Sequence, residues 1–156
     1  MKEVPFSSQY QIKLIIMKKL HTILLIDDDP ATNFLHKLLI EKENCTENIV
    51  CMQSAEDALA YLRLKIEGEY PHPEIIFLDI NMPRMNGWDF LEEYEKFDKE
   101  QQAKKIIIML TTSLDPHDRE KAESINQINE FQSKPLTSEK LRSILKSNFP
   151  NMFNHV

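Results

Sequence analysis

The stretch TILLIDDDP, residues 22–30, decides how the chain folds. Thr22 to Ile26 is an apolar run with no polar alternation, the pattern of a strand buried on both faces. It ends in three carboxylates, Asp27, Asp28 and Asp29, and Pro30 then stands where a helix can open without losing an amide donor. A buried strand, an acidic turn and a helix in that order make the first strand-helix unit. The predicted helix carries Phe34, Leu35, Leu38 and Leu39 as its buried stripe.

The same alternation recurs on the C-terminal side. Ile49, Val50 and Cys51 suggest a short second strand, and Ser54 with Asp57 three residues on forms a helix start before Ala58, Leu59 and Leu62. Gly68 and Pro71 to Pro73 break that helix. Glu74 to Leu78 is a buried strand ending at Asp79, and Trp88, Leu91 and Tyr94 give the next helix its apolar face. Ile106 to Leu110 is the strongest strand and runs into Thr111; Asp115 and Pro116 then cap and open a helix of weak composition. Ile128 to Gln132 makes a last strand ending near Lys134, and Leu136 to Phe149 a last helix with Leu141, Ile144 and Leu145 inward. Five strand-helix units predict an α/β fold, a doubly wound five-stranded parallel sheet of flavodoxin-like (βα)5 type with strand order 2-1-3-4-5. The expected domain spans residues 20–149. Residues 1–19 read as a poorly ordered extension, with Met17 as the expected natural start, and 150–156 as a short tail.

Composition narrows the function. The chain has 156 residues and a formal net charge of −6, which works against attraction to nucleic-acid phosphates. No apolar run approaches the roughly 20 residues needed to span a bilayer. Cys45 and Cys51 have no partners at metal-finger spacing and read as reduced residues of a cytoplasmic protein. His21, His36, His72, His117 and His155 show no mutual metal spacing and read as solvated or loop residues.

In a doubly wound sheet, ligands bind outside the carboxyl ends of the strands, where strand order reverses. Asp27, Asp28, Asp79, Thr111 and Lys134 all fall there. Carboxylates brought together repel unless a cation lies between them, and a hard divalent ion such as Mg2+ suits oxygen ligands and a phosphate. Phosphoryl transfer needs an oxygen nucleophile, a cation on the transferring oxygens and donors where charge accumulates. Asp79 can serve as nucleophile, Asp27 and Asp28 can hold the metal, and Thr111 and Lys134 can bind phosphoryl oxygens. Asp29 reads as a solvated carboxylate at the helix start.

Four segments carry a resemblance. Ile26-Asp27-Asp28, Phe77-Leu78-Asp79-Ile80-Asn81-Met82-Pro83 with Gly87, Leu110-Thr111-Thr112-Ser113 and Ser133-Lys134-Pro135 are together similar to the receiver domains of response regulators, from about Leu20 to Asn148. The chain looks most like the stand-alone members, including the phytochrome-partner type. The resemblance implies that Asp79 is the phosphoacceptor and that Mg2+ is held by Asp27, Asp28, Asp79 and the backbone carbonyl of Asn81. It further implies Thr111 and Phe131 as switch residues, and a cis peptide before Pro135. The implied partners are a histidine kinase or phosphotransfer protein upstream and a protein target downstream, with a homodimer through the face from helix four to helix five as one arrangement. On this reading the protein is a signalling switch that assists its own phosphorylation and dephosphorylation, not an enzyme.

Three other readings fit less well. A phosphatase of the haloacid-dehalogenase type wants a second Asp two residues after the nucleophile, where Asn81 stands. A flavodoxin-like cofactor binder wants a phosphate-cradling loop where Asp27 to Asp29 stand. A phosphorylation-independent scaffold does not need the full residue set.

Overall fold

The computed structural model describes residues 14–16, 18–102 and 105–155. Its elements in chain order are β1 (Leu14–Ile16), β2 (Leu20–Ile26), α1 (Pro30–Glu43), β3 (Thr46–Met52), α2 (Ala55–Arg63) and β4 (Ile75–Leu78). There follow α3 (Gly87–Glu95), β5 (Ile106–Thr111), α4 (Pro116–Ser124), β6 (Ile128–Ser133), α5 (Ser138–Asn148), a 3-10 turn (Pro150–Met152) and β7 (Phe153–His155).

Five strands form one parallel sheet in the order β3-β2-β4-β5-β6, the 2-1-3-4-5 order expected of the five units. Alternate residues of each buried strand feed opposite faces. Leu24, Ile26, Ile76, Leu78, Ile107 and Met109 join the core under α2 and α3, while Ile23, Leu25, Ile75, Phe77, Ile108 and Leu110 join the core under α1 and α5. Apolar burial on both faces is what an uninterrupted Ile/Leu run is for. Between β5 and β6 the register shifts at Ile107/Ile108, and the Asn129 side chain accepts from Ile107 N there at 3.0 Å.

Helix boundaries follow local chemistry. Asp29, Ser54, Asn86, Asp115 and Thr137 cap the five helices by accepting from amides of the first turn, and each cap contributes about 1 kcal/mol. Asn86 and Asp89 form a reciprocal capping box.

Two expectations need correction. The buried stripe of α1 is Asn33, His36 and Ile40, while Phe34, Leu35 and Leu38 are 60%, 63% and 47% exposed; Leu39 is half-buried. The rotation has a cause. The backbone carbonyl just past β2 needs a donor, and Asn33 Nδ2 supplies it, to Asp27 O at 2.9 Å, while also reaching Met52 O at 3.3 Å beside the bond that carbonyl accepts from Asp27 N. Hydrogen-bond demand thus outweighs the apolar stripe, and it carries His36 into the core instead of leaving it solvated. The second correction concerns the ends. Residues 14–16 and 153–155, expected in the disordered extension and the tail, pair antiparallel as Leu14↔His155, Ile15↔Asn154 and Ile16↔Phe153. Ile16 and Phe153 pack against the core beneath α1 and α5, so the pairing is held by apolar contact as well as by backbone bonds. The expected start at Met17, and order in residues 1–13, lie outside the described residues.

Candidate functional site

Every expected site residue except Phe131 lies at or just past the carboxyl end of a strand, and the parallel sheet gathers these ends at one edge. Asp27 and Asp28 follow β2, Asp79 follows β4, Thr111 is the last residue of β5 and Lys134 follows β6. The turns are pinned by backbone bonds: Asp27 N donates to Met52 O, Asp79 N to Ile26 O and Lys134 N to Thr111 O, at 3.1, 3.0 and 2.8 Å. Asp29 N donates to Asp27 Oδ1 at 3.0 Å, while the Asp29 carboxylate is occupied with capping α1, accepting from Ala31 N and Thr32 Oγ1.

Asp27, Asp28 and Asp79 each present a carboxylate oxygen, all within 4.8 Å of one another, with Asp27 and Asp79 buried and Asp28 exposed. Lys134 Nζ lies 2.5 Å from Asp27 Oδ2 and 3.2 Å from Asp79 Oδ1. Burial, then the negative charge of Asp27, push the Asp79 carboxyl up to about 6, against the opposing pull of Lys134 and the Asn81 amide. Burial works to lower the Lys134 ammonium, but its bond to Asp27 and the charges of Asp79 and Asp27 outweigh it and raise the pKa. The site thus holds more negative charge than one lysine offsets, with an exposed carboxylate at its mouth. A divalent cation relieves that excess, and the all-oxygen donor set suits a hard ion.

Gly87 opens the other wall. A Cβ there would lie 2.6 Å from Asp79 O and 3.0 Å from Ile80 Cα, so α3 starts this close to the acceptor turn because residue 87 has no side chain. The Thr111 hydroxyl is buried and accepts from Ser113 N at 3.0 Å, and Ser113 Oγ donates to Asp118 Oδ2 in the first turn of α4 at 2.5 Å. Phe131 stands apart from the acids, half-buried on β6 opposite Met109, with the Arg119 guanidinium 5.0 Å from its ring. Asn81 is exposed two residues past Asp79. The Lys134–Pro135 peptide is cis.

The profile of the response regulator receiver domain matches residues 23–146. The chain belongs to the response regulator receiver domain family. It is a receiver of a two-component phosphorelay, a signalling switch of CheY-like fold. The probable methanogenesis regulatory protein FilR2 of Methanothrix harundinacea is 31% identical over 120 residues, 77% of this chain and 76% of that protein. Hybrid signal transduction histidine kinase C of Dictyostelium discoideum is 30% identical over 130 residues, 80% of this chain but 10% of that protein. Among solved structures, a two component response regulator from Cytophaga hutchinsonii superposes with a TM-score of 0.76 at 34% identity, over 85% of this chain and 99% of that one.

Sequence reasoning missed Asn33, whose side chain donates to Asp27 O, and His36, which accepts from Leu136 N two residues past Lys134. The available signal was their spacing: residues 33, 36 and 40 fall on one helical face.

Proposed function

We propose that Asp79 accepts the phosphoryl group, with Mg2+ held by Asp27, Asp28, Asp79 and the backbone carbonyl of Asn81. What carries the reading is the convergence of three carboxylates at the strand ends, two of them, Asp27 and Asp79, paired with the same lysine. The cation would offset the charge of the incoming phosphoryl oxygens. This chain's own groups do the rest. Asp79 supplies the oxygen that bonds to phosphorus as the donor's bond breaks. The Lys134 ammonium, held between Asp27 and Asp79, turns to a phosphoryl oxygen, and the Thr111 hydroxyl leaves Ser113 N to reach another. That movement frees space for Phe131 to turn inward and alters the face made by α4, β6 and α5, which binds the downstream protein or a second copy of the chain. Hydrolysis of the acyl phosphate resets the switch.

The phosphodonor, a histidine kinase or phosphotransfer protein, docks beside the site. Phe34, Leu35 and Leu38 form an exposed apolar strip on α1, and a groove of about 310 Å3 lined by Leu35, Thr112, Pro135 and Leu136 joins it to the Lys134 loop. Surface of this kind next to a reacting group suits a partner helix. Among the described residues no helix is long and apolar enough to cross a membrane, and Cys45 and Cys51 are free thiols. We place the receiver in the cytoplasm, with its domain at residues 20–149 extended by the buried Met152 and the β1–β7 pair.

Intact-protein mass after incubation with acetyl phosphate and Mg2+ tests the proposal. One phosphoryl adduct is expected, dependent on Mg2+ and lost in Asp79→Asn; an adduct that survives in Asp79→Asn sinks the assignment.

A further inference from the structure

The Lys134 ammonium is useful only if its backbone is held still, and that backbone belongs to a loop. On its strand side the loop is fixed by Lys134 N donating to Thr111 O at 2.8 Å. From solvent, Lys140 Nζ donates to Ser133 O and Pro135 O at 2.7 and 3.1 Å. On the helix side the anchor is internal: Leu136 N donates to His36 Nε2 at 3.3 Å, and both residues are buried. An amide can only donate, so Nε2 carries the lone pair and the ring proton sits on Nδ1. Burial lowers the pKa of the imidazole, which favours the neutral acceptor form. His36 is near enough to the site for the charges of Asp27 and Lys134 to act on it.

We infer that His36 is a positioning residue for phosphoryl transfer: by accepting the Leu136 amide it holds the Lys134–Leu136 loop so that the ammonium lies between Asp27 and Asp79. The inference rests on the reading of Lys134 as a phosphoryl-binding group. Without the acceptor, a buried amide loses its partner, and the loop must shift to find water or another acceptor. A shift in the backbone on either side of Lys134 displaces the ammonium, and rates of transfer respond steeply to such displacement. A histidine that merely filled space would be replaceable by any apolar side chain of similar size.

The test separates acceptor from filler. His36→Leu keeps apolar volume and removes the lone pair; His36→Gln places a carbonyl oxygen three bonds from Cβ, as Nε2 is. With acetyl phosphate and saturating Mg2+, followed by intact mass on protein shown to be folded by thermal melt, His36→Leu should slow adduct formation about tenfold and His36→Gln about twofold or less. In a Lys134→Ala background His36→Leu should add almost nothing, because the effect passes through the ammonium. His36→Met replaces His36→Leu if the latter does not fold. Equal slowing by Leu and Gln, or the same slowing in both backgrounds, overturns the inference while leaving Lys134 in its role. A Lys134→Ala variant as fast as wild type overturns the reading of Lys134 and the inference with it.

Discussion

Asp79 is the residue at which stability and function conflict. Its folded-state pKa of about 6 lies above the 3.8 of an unperturbed aspartate, so the metal-free folded protein binds that proton more tightly than the unfolded chain. Its contribution to stability is full below pH 3.8 and is lost as pH rises through about 6. At pH 7 the buried charge therefore destabilises the metal-free fold, and Asp79→Asn should stabilise it by on the order of 1–3 kcal/mol. Urea melts without metal should show that gain at pH 7 and almost none near pH 4; a mutant less stable at pH 7 contradicts it. Mg2+ should reverse the order by stabilising wild type more. The residues of this conflict were legible in the sequence, because a carboxylate or lysine ending a buried strand has one place to be. Asn33 and His36 were not, since a polar residue within a helix is read as solvated until the carbonyl or amide it serves is known.

Among elements, α1 departs most from expectation. Its ends were legible from Asp29 and Pro30, but Phe34, Leu35 and Leu38 compete with Asn33, His36 and Ile40 for the core, and both sets satisfy helical spacing. The buried Asp27 carbonyl, which Asn33 serves, decides between them. Two substitutions measure the outcome. Ile40→Ala should cost about 2–5 kcal/mol as a buried truncation. Leu35→Glu should change stability by less than about 0.5 kcal/mol, leave labelling by acetyl phosphate unchanged, and slow transfer from a phosphorylated donor protein. A Leu35→Glu protein that takes phosphoryl groups from the donor at the wild-type rate would move the docking surface elsewhere. By contrast α2 and α5 bury the residues expected of them, because each has a single apolar face, while α3 buries Leu91 and Tyr94 as expected but takes Phe90 into the core where Trp88 was expected and leaves Trp88 half-buried.

At the scale of the whole molecule, the strand order was legible and the pairing of the ends was not. Three-residue strands carry too little pattern to announce themselves, and β1 and β7 lie 137 positions apart between Ile16 and Phe153 (153 − 16). Phe153→Ala removes part of the contact that holds them. The expected loss is on the order of 1–3 kcal/mol, or several degrees in Tm, with the rate of adduct formation unchanged; an unchanged melt would show that the pair contributes nothing. β1 leads into the start of β2, so the pair sits at the pole opposite the acidic site. Leu14 and His155, held side by side and away from the chemistry, make the order of the segments between them a matter of convention. A short linker joining these two residues, with new termini opened at Glu67-Gly68, where both residues have positive φ and are exposed, should yield a circular permutant that still takes a phosphoryl group on Asp79.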